Sequence, residues 1–194
     1  MSESEMISAS LRRGADLKLQ LAENPAPIIA IVDACETAIK ANNKLMFCGN
    51  GGSAGDSQHL ATELLIRLRG SVPRRSLPAL ALTLDPAALT ACGNDFGFDH
   101  VFERPLQGLG RPGDVLFGIT TSGRSSNVIR ALKAAREMGI VTVGLLGGEG
   151  KPALDDCDYA IIVPETDTAR IQECHIALGH IILTLLEDRI VKAE

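Results

Sequence analysis

Apolar residues recur along this chain in two successive rhythms. Over residues 3–22 they fall at Met6, Leu11, Leu17 and Leu21, the inward face of an amphipathic helix that stops near Asn24-Pro25. A second helix, to about residue 41, turns Ile28, Ile31, Val32, Cys35 and Ile39 inward. Beyond it come short, nearly continuous apolar runs: KLMFC at 44–48, PALAL at 78–82, DVLFGI at 114–119, VTVGLL at 141–146 and YAIIV at 159–163. Runs of this length alternating with helical stretches predict βαβ units and a mostly parallel sheet covered on both faces. Asp85-Pro86 predicts a helix N-cap followed by proline at the first helical position, with Gly93 as that helix's stop. No linker, low-complexity tract or repeat intervenes. The expectation is an α/β fold in a single three-layer domain over residues 1–194, with N-terminal helices to residue 41 and the α/β core and C-terminal helix from 42.

The final helix, from Thr168 to about Lys192, is apolar on nearly all sides through its middle. A chain-end helix of that kind needs more cover than its own sheet gives, and a small domain has little interior to supply it. Packing against helices of other subunits is therefore expected.

Composition narrows the function. Hydrophobic residues make up 45% of the chain, yet no apolar run is long enough to span a bilayer. The stretch MSESEMISASLRRGADLKLQ lacks the apolar core of a signal peptide. Five scattered cysteines with no CxxC pair suit free thiols in a reducing cytoplasm. A net charge of −5 and 3% aromatic residues argue against a nucleic-acid partner.

Ligands of parallel α/β sheets bind at the carboxyl ends of the strands. Three polar loops are candidates. GNGGS (49–53) lets the backbone approach a ligand, and Ser53 is placed to cap the following helix. TTSGRSS (120–126) gathers hydroxyls and amides at a helix N-terminus, an anion cradle. GNDFG (93–97) places Asn94 and Asp95 beside a glycine turn. Each alone is also ordinary loop and cap chemistry. Two strand-to-helix loops of one kind, with no Walker lysine, suit a sugar phosphate better than a nucleoside triphosphate. GNGGSA also satisfies a loose dinucleotide fingerprint, but the acidic residue expected about twenty residues on is missing, and Asp85 reads as a helix cap.

Acid–base or metal chemistry points to His59, Glu63, Gln172 and His180. His59 and Glu63 are spaced i, i+4 on one helix face, able to hold a divalent metal or to form a solvated pair. His180 lies in apolar ALGHIIL, where a core histidine satisfied by a backbone carbonyl is the plainer reading. Gln172 and His180, eight residues apart, are separated by about 12 Å along the helix axis. Were they to share one ligand, they would reach it most easily from different subunits.

Taken together, CGNGGSAGDSQHLATEL, GNDFG, GDVLFGITTSGRSSNVI and ARIQECHIALGH resemble the phosphoheptose isomerases of the sugar-isomerase (SIS) domain superfamily, over about residues 40–190. The resemblance implies a five-stranded parallel sheet flanked by helices and a homotetramer with active sites between subunits. It implies conversion of D-sedoheptulose 7-phosphate to D-glycero-D-manno-heptose 7-phosphate, the first step toward ADP-heptose for lipopolysaccharide or other heptosylated glycans. It implies one zinc ion per site on His59, Glu63, Gln172 and His180. Substrate contacts are implied for Asn50, Gly51, Gly52, Ser53, Glu63, Asn94, Asp95, Thr120, Thr121, Ser122, Ser125 and Gln172.

Aldose–ketose chemistry runs through an enediol and needs a base, an acid and a holder of negative charge. Glu63 is the expected base and His180 its acid–base partner. The chain departs from the family pattern at Thr120, where serine is frequent, at Ala169, where some members carry aspartate, and at Ile66-Arg67-Leu68. Two alternatives are a non-catalytic tetramer of this scaffold that binds the replication initiator, and an isomerase of another sugar phosphate. Catalytic groups at Glu63 and His180 argue against the first.

Overall fold

The computed structural model describes residues 1–83 and 85–193, leaving Leu84 and Glu194 outside. Helix α1 (Glu3–Ala22) opens on a capping box: the Ser2 hydroxyl accepts from the Glu5 N–H, and the Glu5 carboxylate from the Ser2 N–H. Helix α2 (Ala26–Lys40) leads into β1 (Leu45–Gly49) and α3 (Gly52–Leu65). There follow β2 (Ala79–Ala81), α4 (Pro86–Asp95), α5 (Glu103–Leu109), β3 (Val115–Thr120), α6 (Ser126–Glu137), β4 (Val141–Gly147), β5 (Tyr159–Val163) and α7 (Thr168–Ala193).

All five apolar runs are strands of one parallel sheet in the order β2-β1-β3-β4-β5. Along β1 the side chains alternate: Leu45 and Phe47 enter one core with α2, α3 and α7, Met46 and Cys48 the other with α5 and α6. Phe47 stacks on Phe117 of β3, ring centroids 4.9 Å apart. Because both faces are covered, the strands carry no polar alternation, which is why they read as continuous apolar runs.

Four expectations need correction. Gly93 does not stop α4; the helix runs on through Asn94 and Asp95, and Gly97 with φ +90° ends the turn that follows. Asn94 and Asp95 are therefore helical, not loop, residues. Asp85 does cap α4, accepting from the Ala88 N–H at 3.0 Å. Ser53 caps nothing: α3 begins at Gly52, behind Gly51 at φ +57°, and Ser53 is buried inside its first turn. Met6 and Leu11 of α1 are exposed, and only Leu17 of the predicted face is fully buried.

Helices α3 and α7 lie side by side and run in the same sense, with Asp56 against Gln172 and Leu60 against Gly179. A Cβ on Gly179 would meet Leu60 at 2.7 Å, so the missing side chain permits the close approach. Past the end of α3, Arg74 is sealed in the interior. Its guanidinium bonds the Glu187 carboxylate of α7 at 2.7 Å and donates to the carbonyls of Glu63 and Leu64. Arg69 bonds the other oxygen of Glu187 at 2.6 Å.

Candidate active site

Sheet order reverses between β1 and β3, and the loops leaving those strands diverge there, as in other doubly wound sheets. From β1 the chain turns through Asn50, Gly51 and Gly52 into α3. The Gly51 carbonyl accepts from the N–H groups of Ala54 and Gly55, and the Ser53 N–H donates to Asn50 at 3.0 Å. The φ of +57° at Gly51 is one that L side chains rarely adopt. From β3 the chain enters the hydroxyl cluster: Thr120 Oγ1 lies 3.0 Å from Ser125 Oγ and 3.4 Å from Ser122 Oγ. Thr121 is half-buried beside them. Ser125 occupies the N-cap of α6 without spending its hydroxyl on a cap bond. Three hydroxyls at the positive end of a twelve-residue helix make a cradle for an anion.

The α3–α7 seam supplies the titratable groups. One ligand atom each from His59, Glu63 and His180 lies within 4.8 Å of the others. His59 Nε2 is 2.9 Å from His180 Nε2 and 3.3 Å from Glu63 Oε1, and the rings meet edge to face. Glu63 Oε2 is buried with no hydrogen-bond partner among the described residues. Two imidazoles and a carboxylate with spare donor capacity form a nitrogen–oxygen set that suits zinc. The residues fit such an ion.

Gln172 sits apart from this triad, its amide nitrogen donating to Asp56 Oδ1 at 2.6 Å. Asp56 is buried, which pushes its pKa up against the pull of the Gln172 hydrogen bond and of His59 and His180. Its Oδ2 is also without a partner among the described residues. Asp56 was not among the residues singled out above, although its i, i+3, i+7 spacing to His59 and Glu63 puts all three on one helical face.

The role of carbonyl-satisfied core histidine belongs not to His180 but to His175. Its ring is fully buried and Nε2 donates to the Leu146 carbonyl at 3.0 Å. Burial, outweighing that bond, lowers its pKa from 6.5 to about 4. The unfolded chain thus takes up a proton that the folded chain refuses. Stability from this residue is full above pH 6.5 and falls as pH drops toward 4. His175→Gln keeps a donor for Leu146 and does not titrate. Thermal melts across that window should fall more steeply for the wild type than for the variant; parallel curves would exclude His175 as the cause.

Asn94 and Asp95 bond each other at 2.8 Å, and Asp95 faces a cavity of about 310 Å³ with Cys92, Phe96 and Arg104. A separate cavity of about 410 Å³ opens between the glycine loop and α4, lined by Asn50, Gly51, Gln58, Thr83, Leu89 and Phe98. The structure does not bring Asn94 and Asp95 to that wall. Arg67 is exposed beyond α3. Ala169 offers no carboxylate; its N–H donates to Asp167 Oδ1 at 2.9 Å. No acidic residue ends β2, so the dinucleotide reading finds no ribose partner there.

The SIS domain family matches residues 12–147. A phosphoheptose isomerase of Chlorobaculum parvum is 48% identical over 186 residues, covering 95% of this chain and 89% of that protein. One from Nitratiruptor is 53% identical over 154 residues, covering 79% of this chain and 81% of its own. The solved phosphoheptose isomerase of Neisseria gonorrhoeae superposes with a TM-score of 0.89 at 38% identity, over 96% of this chain and 100% of that one. With the same fold, and with likeness running along nearly its whole length, the chain belongs to the phosphoheptose isomerase family of SIS-domain proteins.

Proposed function

We propose that this protein interconverts D-sedoheptulose 7-phosphate and D-glycero-D-manno-heptose 7-phosphate, the first step of ADP-heptose biosynthesis. The observation that carries the reading is the convergence of His59, Glu63 and His180 beside the glycine loop, in a chain 48% identical to a phosphoheptose isomerase. Glu63 takes the proton from the carbon next to the carbonyl and returns it to the neighbouring carbon. His180 moves the proton between the two oxygens of the enediol. The cradle of Thr120, Thr121, Ser122 and Ser125 holds the phosphate. Asn50, Gly51, Gly52 and Ser53, with Gln172, bind the polyol; Asn94 and Asp95, of which Asp95 faces the separate cavity beside Cys92, join them only through a shift of α4 or from a neighbouring subunit. His59, Glu63, Gln172 and His180 are the proposed zinc ligands, and zinc, when bound, supplies Lewis acidity toward the sugar oxygens. Glu63 serves both as ligand and as base, which requires either a loose hold on the metal or a metal whose role is partly to position it.

We further propose a cytoplasmic homotetramer in which Gln172 comes to the site from a neighbouring subunit. Two features support this: the Gln172 amide is turned to Asp56 rather than to the triad, and Met6, Ile7, Leu11, Ile181 and Leu185 are exposed on α1 and α7. No described helix is long and apolar enough to cross a membrane.

Incubating the protein with D-sedoheptulose 7-phosphate and following the aldose by NMR tests the activity; no aldose with metal-loaded protein rejects it. The replication-initiator reading is not favoured, because both proton-moving groups are present. Mixing inactive Gln172→Ala and His180→Ala proteins, after dissociation and reassembly, should restore part of the activity. Mixed oligomers that stay inactive rule out the cross-subunit arrangement.

The cradle makes its own prediction. Ser122→Ala or Ser125→Ala removes a hydrogen bond to a phosphate that takes no part in proton transfer, so KM rises while kcat holds. The loss should be roughly 1.5–3 kcal/mol for a bond to a charged group. Unchanged KM in both variants would place the phosphate elsewhere.

A further inference from the structure

Between the glycine loop and the hydroxyl cradle stands a side-chain pair that the site description has not used. Asn50 Nδ2 donates to Asn127 Oδ1 at 2.8 Å, and Asn127 Nδ2 donates to Asn50 Oδ1 at 2.9 Å. Asn127 is 2% exposed, in the first turn of α6 two residues after Ser125. The pair bridges the β1 and β3 loops, whose strands meet in register at Gly49 and Ile119. It therefore closes the crevice where the loops would otherwise part.

The polarity of this pair is set from the backbone. Asn127 Oδ1 also accepts from the Val128 N–H at 2.9 Å. An amide nitrogen cannot accept, so the atom facing Val128 must be oxygen. That settles which end of Asn127 is which, and the reciprocal bonds then settle Asn50. Its Nδ2 must face the Asn127 oxygen, and its Oδ1 the Asn127 nitrogen. Asn50 is left with one N–H and one lone pair for a ligand, and it lines the cavity beside the glycine loop.

We infer that Asn127 is a positioning residue: it dictates which way the Asn50 amide faces and fastens the polyol end of the site to the phosphate end. Its kinetic consequence rests on the isomerase reading; its geometry does not. Asn127 touches no reacting atom, so its effect passes through Asn50.

The test is a double-mutant cycle of Asn50→Ala and Asn127→Ala, read as kcat/KM for D-sedoheptulose 7-phosphate. Asn127→Ala should lower kcat/KM about tenfold or more, the scale of a buried polar group left unpaired. The double variant should be no worse than Asn50→Ala alone. Losses that multiply would show Asn127 acting independently and overturn the inference. Asn127→Ser, which keeps an acceptor for Val128 but cannot reach Asn50, should reproduce the loss even if the alanine variant folds poorly. Wild-type kinetics in Asn127→Ser would also overturn it. Side-chain amide exchange by NMR needs no turnover: the Asn50 NH2 should be protected in the wild type and exposed in Asn127→Ser. Equal protection in the two refutes the pairing, whereas absent turnover with protection lost on substitution refutes only the isomerase reading.

Discussion

Glu63→Gln should retain the fold and assembly and lose nearly all turnover. The amide nearly matches the carboxylate in shape, and the backbone around it is held independently, because Arg74 bonds the Glu63 carbonyl and not its side chain. What the amide cannot do is accept a carbon-bound proton. General base catalysis contributes typically ~10²–10⁴-fold, and a kcat reduction of that order is expected. The neighbouring imidazoles are not free to replace it, since in the proposed site His59 is committed to the metal and His180 to the metal and the enediol oxygens. Metal content measured alongside the rates separates a lost base from a lost ligand. A fully metallated variant retaining more than about half of wild-type kcat, far above that loss, would remove Glu63 from the base role.

The second large effect concerns stability. Glu187→Ala leaves the Arg74 guanidinium in the interior without its counter-charge, both side chains being 1% exposed. Breaking a buried pair from one side costs ~3–5 kcal/mol, whereas exchanging both partners for apolar residues of similar volume is often close to neutral. Denaturant unfolding should therefore rank Glu187→Ala below the Glu187→Met/Arg74→Met double variant, by a margin narrowed because the double variant also strips the Glu63 and Leu64 carbonyls of their Arg74 donor. The single variant should lose activity as well, because Arg74 also holds the last carbonyls of α3, the helix that carries His59 and Glu63. A cost under ~1 kcal/mol, the range of exposed ion pairs, would show that water reaches the pair.

The sheet was legible because strands buried on both faces carry uninterrupted apolar runs, and all five fell where those runs lie. Helix ends were less so. Gly93 looked like a stop, but the penalty for glycine inside a helix is only ~1 kcal/mol, and α4 carries it on to Asp95, with the positive-φ glycine at Gly97. Ser53 looked like a cap, yet the positive φ at Gly51 starts α3 earlier. His59 and Glu63 were visible as an i, i+4 pair. Asp56 shares their helical face at i, i+3, i+7, a signal the pair alone did not use, whereas Asn127 was not visible, since its partner comes from another loop and no local spacing announces it. His175 and His180 could not be told apart by apolar context. Five residues turn a helix by about 140°, which sends one ring to β4 and the other to α3.

Gly179 has an evolutionary corollary. Every replacement of glycine adds a Cβ, and here any Cβ meets Leu60 at 2.7 Å, one residue away from each of the two facing imidazoles. A substitution at 179 must therefore turn the Leu60 methyls aside or push α3 away from α7. A shorter side chain at 60 would make room for a larger one at 179, so change at this seam is easiest in pairs.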